Sequence, residues 1–139
     1  MRKKSLKEIE RYYDVHHKTA YLIWTAPWYR TAAQLVYPYI KNKTILEIGC
    51  GNGFFCIWAA KQGAKNVIGV DISRETINRL NKITKNPNNI KFLYGDAQKF
   101  KLKKKFDYIV CCEVLEHLQD PEQAFKNMVE MCNKKMIIS

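Results

Sequence analysis

One stretch constrains this chain more than any other. Thr44-Ile45-Leu46-Glu47-Ile48 runs straight into Gly49-Cys50-Gly51-Asn52-Gly53. A short apolar run that ends in glycines reads as a buried parallel strand. Glycines at a strand-to-helix turn let the backbone bend sharply and approach a ligand with no Cβ in the way. Residues 54–62 then read as a helix stopped by Gly63. The alternation continues. Residues 66–70 form a short strand ending in Asp71, and residues 73–85 a helix with Ser73 as N-cap and Ile77 and Leu80 facing inward. Asn86-Pro87-Asn88-Asn89 is a turn, Ile90–Tyr94 and Phe106–Cys111 are strands, residues 121–132 a helix, and residues 136–139 begin a last strand. Strands alternating with helices at this spacing predict an α/β doubly wound, Rossmann-like parallel sheet.

The 139 residues bound this to one domain with an adequate core. The balance of 47% apolar and 27% charged residues is that of a globular chain. The net charge of +11 favours anionic partners and also aids solubility. The five cysteines are odd in number, sit in apolar runs and form no C-x-x-C pair, which reads as reduced, buried thiols of a cytoplasmic protein. The basic N-terminus lacks the apolar stretch of a signal peptide. The uncharged segment between Lys18 and Arg30 is broken by Pro27 and too short to span a bilayer, so no transmembrane segment is expected. Ser5 and Glu8 resemble a capping box opening a helix with Leu6, Ile9, Tyr12 and Tyr13 on its apolar face. A second helix over 28–40 would carry Trp28, Ala32, Leu35, Val36 and Tyr39 on one side. Residues 1–43 thus read as a helical cap and 44–139 as the core.

A lone glycine loop is weak evidence for a ligand, since glycine often merely punctuates loops. Two features go further. Asp71 ends the next strand at a spacing that suits a ribose-hydroxyl acceptor. Glu47, just before the first glycine, adds a negative charge that repels a pyrophosphate and attracts a cation. Neither glycine pair is followed by a third glycine at dinucleotide spacing, where Phe54 and Cys56 stand instead, and no Gly-Lys-Ser/Thr follows, which excludes a P-loop.

With these residues the chain resembles the class I S-adenosylmethionine-dependent methyltransferases. Glu47, Gly49, Gly51 and Gly53 match that family's first motif, Val67-Ile68-Gly69-Val70-Asp71 its second and Gly95-Asp96-Ala97 its third. The run from Phe106-Asp107-Tyr108 through Cys111-Cys112-Glu113-Val114-Leu115-Glu116-His117-Leu118 matches its fourth. The resemblance implies that the Gly49–Gly53 loop, Cys50 included, runs under the amino-acid end of S-adenosylmethionine. By the same resemblance Asp71 accepts from both ribose hydroxyls, and Ile72 packs on the adenine. Asp96 takes the adenine amino group, the Ala97 backbone a ring nitrogen, and Cys112 lies near the methionine portion. The family's fold has seven strands in the order 3-2-1-4-5-7-6. Five are read here, so the last two are expected to be missing and the edge of the fifth to be open to a partner chain or a second copy.

The fourth motif narrows the acceptor by resemblance. It lacks both the Asn/Asp-Pro-Pro-aromatic sequence of amino-nitrogen enzymes and the Pro-Cys of cytosine-carbon enzymes. Glu113-Val114-Leu115-Glu116-His117 is similar to the ubiquinone-biosynthesis O-methyltransferases and the small-molecule group around them. It is also similar to small-RNA 2′-O-methyltransferases, where such residues hold a divalent metal. Glu113, Glu116 and His117 at i, i+3 and i+4 would converge on one face of a helical turn and suit Mg²⁺ or Mn²⁺. Exposed, non-ligating side chains are an equal alternative. His117, with Glu116 beside it, is the first choice of general base, because an ordinary histidine titrates near neutrality.

Lys99, Lys101, Lys103, Lys104 and Lys105 crowd the loop before the fourth strand. The bland reading is a solvated connection and the sharper one a phosphate-contacting patch. The leading expectation is a methyltransferase acting on a small-molecule acceptor at oxygen or nitrogen. The alternatives are an RNA 2′-O-methyltransferase with a metal site and a cofactor-binding module inactive without a partner.

Overall fold

The apolar runs become strands, and amphipathic segments cover both faces of the sheet they form. The computed structural model describes residues 27–84 and 88–139. Helix α1, Pro27–Val36, passes into a 3-10 turn, Tyr37–Tyr39. There follow β1 (Thr44–Ile48), α2 (Phe54–Lys61), β2 (Asn66–Asp71), α3 (Arg74–Ile83), β3 (Ile90–Tyr94) and β4 (Phe106–Cys111). A second 3-10 turn, Leu115–His117, precedes α4 (Pro121–Met131) and β5 (Cys132–Ile138). The expected capping box at Ser5 and Glu8 and the first helix lie outside the described residues.

The sheet is parallel throughout, in the order β3-β2-β1-β4-β5. This is the α/β, class I order expected. Strand alternation divides the core. Ile45, Val67, Phe92, Tyr108 and Val110 pack with α1, α2 and α3, while Leu46, Ile48, Ile68, Val70 and Ile109 pack with Met128 and Met131 of α4. Because the order reverses between β1 and β4, a crevice opens there outside the carboxyl ends of the strands.

Local signals act as their chemistry dictates. Ser73 caps α3, its side chain accepting from the Thr76 amide at 3.1 Å. Asp120 caps α4 by accepting from the Gln123 amide at 2.9 Å, with Pro121 at the first helical position. Gly63 ends the turn after α2 with φ +91°.

Two expectations are corrected. The buried side of α1 and its turn consists of Ala32, Ala33, Val36 and Ile40, whereas Leu35 and Tyr39 are 56% and 54% exposed. At about 100° per residue Leu35 lies off the stripe set by Ala32 and Val36. The backbone then tightens at Tyr37-Pro38-Tyr39, which changes the phase of the residues beyond. The last strand begins at Cys132 rather than Met136. Asn133, Lys134 and Lys135 are polar and exposed, so hydropathy hides the start of an edge strand whose pairing Phe106↔Cys132 is backbone-made.

Candidate functional site

The crevice at the carboxyl ends of β1, β2 and β4 gathers most of the residues singled out by sequence. The loop after β1 is shaped by three glycines with φ of +73°, +48° and +73° at Gly49, Gly51 and Gly53. L-residues reach this region only at a cost. Gly49 needs glycine twice over, because an added Cβ would collide with the Val114 side chain. Its amide and that of Cys50 donate to the Val70 carbonyl at 2.8 and 2.9 Å, which ties the loop to β2.

Asp71 ends β2 and is 5% exposed. Its Oδ2 accepts from the Gly51 amide and its Oδ1 from the Ser73 amide, both at 2.8 Å. A carboxylate offers about four lone-pair sites, so each oxygen keeps one for a further donor. Asp71 therefore holds the loop as well as facing the crevice. Ile72 beside it is half-buried.

Asp96 follows β3. Its Oδ1 accepts from the Gln98 amide at 2.9 Å and from Gln98 Nε2 at 3.2 Å. Its Oδ2 is buried and has no hydrogen-bond partner. An orphaned buried carboxylate oxygen is costly unless a donor reaches it. Ala97, next in the chain, is half-buried against Leu46, Ile48 and their neighbours.

Glu47 is 1% exposed, on the face of β1 that packs against α2, and its Oε2 accepts from Cys56 Sγ at 2.9 Å. The charge thus sits beneath the loop rather than in its opening. Burial, then Asp71 and Glu47, push the Cys50 thiol well above its usual range. Burial and then Glu47 do the same to Cys56. Cys112 is buried at the end of β4, and burial raises its thiol as well. Two acidic side chains thus border the loop, Glu47 beneath it and Asp71 beside it.

Glu113 has φ +55°, uncommon for a residue with a side chain. Its amide donates to the Ser139 carbonyl at 3.3 Å, and its Oε1 accepts from Ser139 Oγ at 3.2 Å. Glu116 and His117 lie on the following 3-10 turn, about half exposed, with His117 Nε2 3.8 Å from Glu116 Oε1. The expectation that Glu113, Glu116 and His117 share one helical face is corrected. Glu113 precedes the turn with a left-handed backbone and is drawn to Ser139, so the three do not share one helical face. Among the described residues no three His, Cys, Asp or Glu side chains are gathered as metal ligands.

Sequence reasoning missed two supports. Arg79 Nη2 of α3 donates to Asn52 Oδ1 within the loop, and Val114 fills the space over Gly49. The first pair is 27 residues apart and carries no local pattern. Val114 stands inside the fourth motif, so a contact with the glycine loop was open to inference there.

Comparison with known proteins adds a family to this geometry. A family profile described as "Methyltransferase domain" matches residues 40–139. The chain is 38% identical over 96 residues to a ubiquinone biosynthesis O-methyltransferase of Coxiella burnetii, covering 63% of this chain and 38% of that protein. It is 36% identical over 85 residues to the enzyme of that name from Hydrogenovibrio crunogenus, covering 59% of this chain and 35% of that protein. The chain thus spans under two fifths of the length of these curated relatives. Among solved structures, the N-methyltransferase NodS from Bradyrhizobium japonicum WM9, in complex with S-adenosyl-L-homocysteine, superposes with a TM-score of 0.75 at 23% identity. That match covers 93% of this chain and 71% of NodS and bears on the fold alone. No described helix is long and apolar enough to cross a membrane.

Proposed function

The chain belongs to the methyltransferase domain family, of the class I S-adenosylmethionine-dependent type, and from that premise we propose that it binds S-adenosylmethionine and serves methyl transfer to an oxygen of a small-molecule acceptor. The observation that carries the cofactor reading is the buried, unpartnered Oδ2 of Asp96 beside the crevice. An adenine amino group is a donor of the kind that oxygen lacks. The glycine loop offers backbone close to the amino-acid end, and the remaining lone pairs of Asp71 suit two ribose hydroxyls. The residues present therefore fit the group. Bound there, the cofactor supplies a methyl already activated on a sulfonium.

The chain's own residues do the rest. The Asp71 carboxylate beside the loop favours a positive charge in the crevice. The Gly49–Gly53 loop is held by Val70, Asp71 and Arg79 before any ligand arrives, which preserves orientation. His117 is assigned the acceptor's hydroxyl proton. Taking it protonates both ring nitrogens, with Glu116 Oε1 3.8 Å from Nε2 on the same turn. The edge of β5 is assigned to pairing with a further strand. The oxygen assignment rests on the relatives named ubiquinone biosynthesis O-methyltransferase. The metal-using RNA reading draws no support from the positions of Glu113, Glu116 and His117.

Calorimetry with S-adenosylmethionine and S-adenosylhomocysteine tests the proposal. Saturable binding of both is expected, weakened at least about tenfold in Asp71→Ala, which loses two acceptors of charge-assisted hydrogen bonds. Absence of binding, or binding indifferent to that change, overturns the cofactor reading.

A further inference from the structure

All five strands run the same way, so their amino ends share one rim, remote from the glycine loop. That rim is lined by lysines. Lys41 and Lys43 lead into β1, Lys65 into β2 and Lys105 into β4, while Lys134 and Lys135 are the third and fourth residues of β5. All of these but the half-buried Lys43 are exposed. The backbone brings them together: the Lys65 amide donates to the Lys43 carbonyl at 2.8 Å, and Thr44 donates through its amide to Asp107 Oδ2 at 2.9 Å.

Among the described residues the acids at this rim are Asp107, 3.6 Å from Lys134 Nζ, and Glu130, 2.9 Å from Lys101 Nζ. Asp96, Glu113, Glu116 and Asp120 all lie beyond the opposite, carboxyl ends of the strands. The rim thus gathers six lysines around Asp107, while Asp96, Glu113, Glu116 and Asp120 stand at the crevice end together with Arg74 and Arg79. An aromatic ring stands among the lysines. Tyr39 is 54% exposed, and Lys135 Nζ lies 5.5 Å from its ring centroid.

We propose that this amino-terminal rim is a docking surface for single-stranded RNA, separate from the methyl-transfer crevice. Clustered ammonium groups meet phosphates. An exposed ring held beside a cation offers a base a stacking face, the pairing that single-strand binders use. Unpaired bases can splay onto such a ring, whereas those of a duplex cannot. The described rim consists of turns and strand starts, with no projecting helix to enter a major groove. This surface does not depend on the cofactor reading.

The test is fluorescence anisotropy of a labelled, mixed-sequence single-stranded RNA oligonucleotide with the 139-residue chain across a potassium chloride series. Saturable, salt-sensitive binding is expected. Lys41→Gln/Lys65→Gln/Lys135→Gln should lower the slope of log affinity against log salt by about 2, at roughly 0.7 per lost phosphate contact. Lys99→Gln/Lys126→Gln, at exposed positions away from the rim, should leave it unchanged. Tyr39→Ala should weaken binding about fivefold or more, and Tyr39→Phe should restore it. Vesicles of phosphatidylcholine and phosphatidylglycerol form the competing arm. No saturable RNA binding, an unchanged slope in the triple variant, or binding to vesicles without binding to RNA overturns the proposal. S-adenosylhomocysteine calorimetry on the triple variant is expected to match wild type, so failure here is distinct from failure of the cofactor assignment.

Discussion

At the level of single residues, the site divides into atoms already engaged and one that is not. Asp96 Oδ2 is buried without a partner, while Asp71 holds two backbone amides. This makes Asp96 the sharper probe. Replacing the adenine amino group by oxygen, as in S-inosylhomocysteine, should weaken binding to the wild-type chain about tenfold or more, since an unmade buried hydrogen bond costs about 1–3 kcal/mol. An Asp96→Ala variant should bind both compounds equally weakly. Equal binding of the two compounds by the wild type would refute the pairing. Gly49→Ala tests the loop itself. A φ of +73° and a collision with Val114 together predict a loss of about 1–3 kcal/mol, seen as a lowered melting temperature. The glycines and Asp71 were legible because their chemistry is local: a turn, a strand end, a spacing. The Asn52–Arg79 contact was not, because only tertiary packing brings those side chains together.

Among the elements, β1 and β4 are clamped at their starts by Asp107. It accepts from the Thr44 amide at 2.9 Å and from Thr44 Oγ1 at 3.1 Å, while Thr44 Oγ1 accepts from the Asp107 amide at 3.0 Å. The Thr44 amide, opposed by partial burial and helped by Thr44 Oγ1 and Lys134, holds the Asp107 carboxyl below its ordinary value of 3.8. A carboxyl whose value is lower folded than unfolded stabilises the fold above the unfolded value. That contribution is lost as pH falls through the folded value. Denaturant titrations from pH 6 downward should therefore show an acid-side loss of stability that is shallower in Asp107→Asn. An identical acid limb in both proteins would refute the clamp. Element types were readable from period and caps, Ser73 and Asp120 above all. Element ends were harder. The polar start of β5 and the outward turn of Leu35 and Tyr39 depend on partners and phase that hydropathy does not record.

For the molecule as a whole, the strand order and the split of the core between two faces follow from the β-α alternation that the sequence displays. The buried thiols were legible too, with one exception. Cys50, Cys56, Cys111 and Cys112 are buried, while Cys132 at the sheet edge is half-buried. Burial pushes the Cys111 thiol up to about 12, and the other buried thiols rise for the same reason. At pH 8 the native chain should thus be alkylated first at Cys132, with the other four labelled only on unfolding, as mass spectrometry of timed iodoacetamide reactions would reveal. Early labelling of Cys50 or Cys111 would contradict this core. The junction beside Cys132 has a consequence of another kind. Helix α4 ends at Met131 and β5 begins at the next residue, so nothing there can absorb a change in chain length. One inserted residue would turn every side chain of β5 to the opposite face of the sheet or force a bulge. The long connection between β3 and β4 could take up the same insertion. Tolerance to insertions and deletions should therefore differ sharply between these two places, with the helix-to-strand junction the less forgiving.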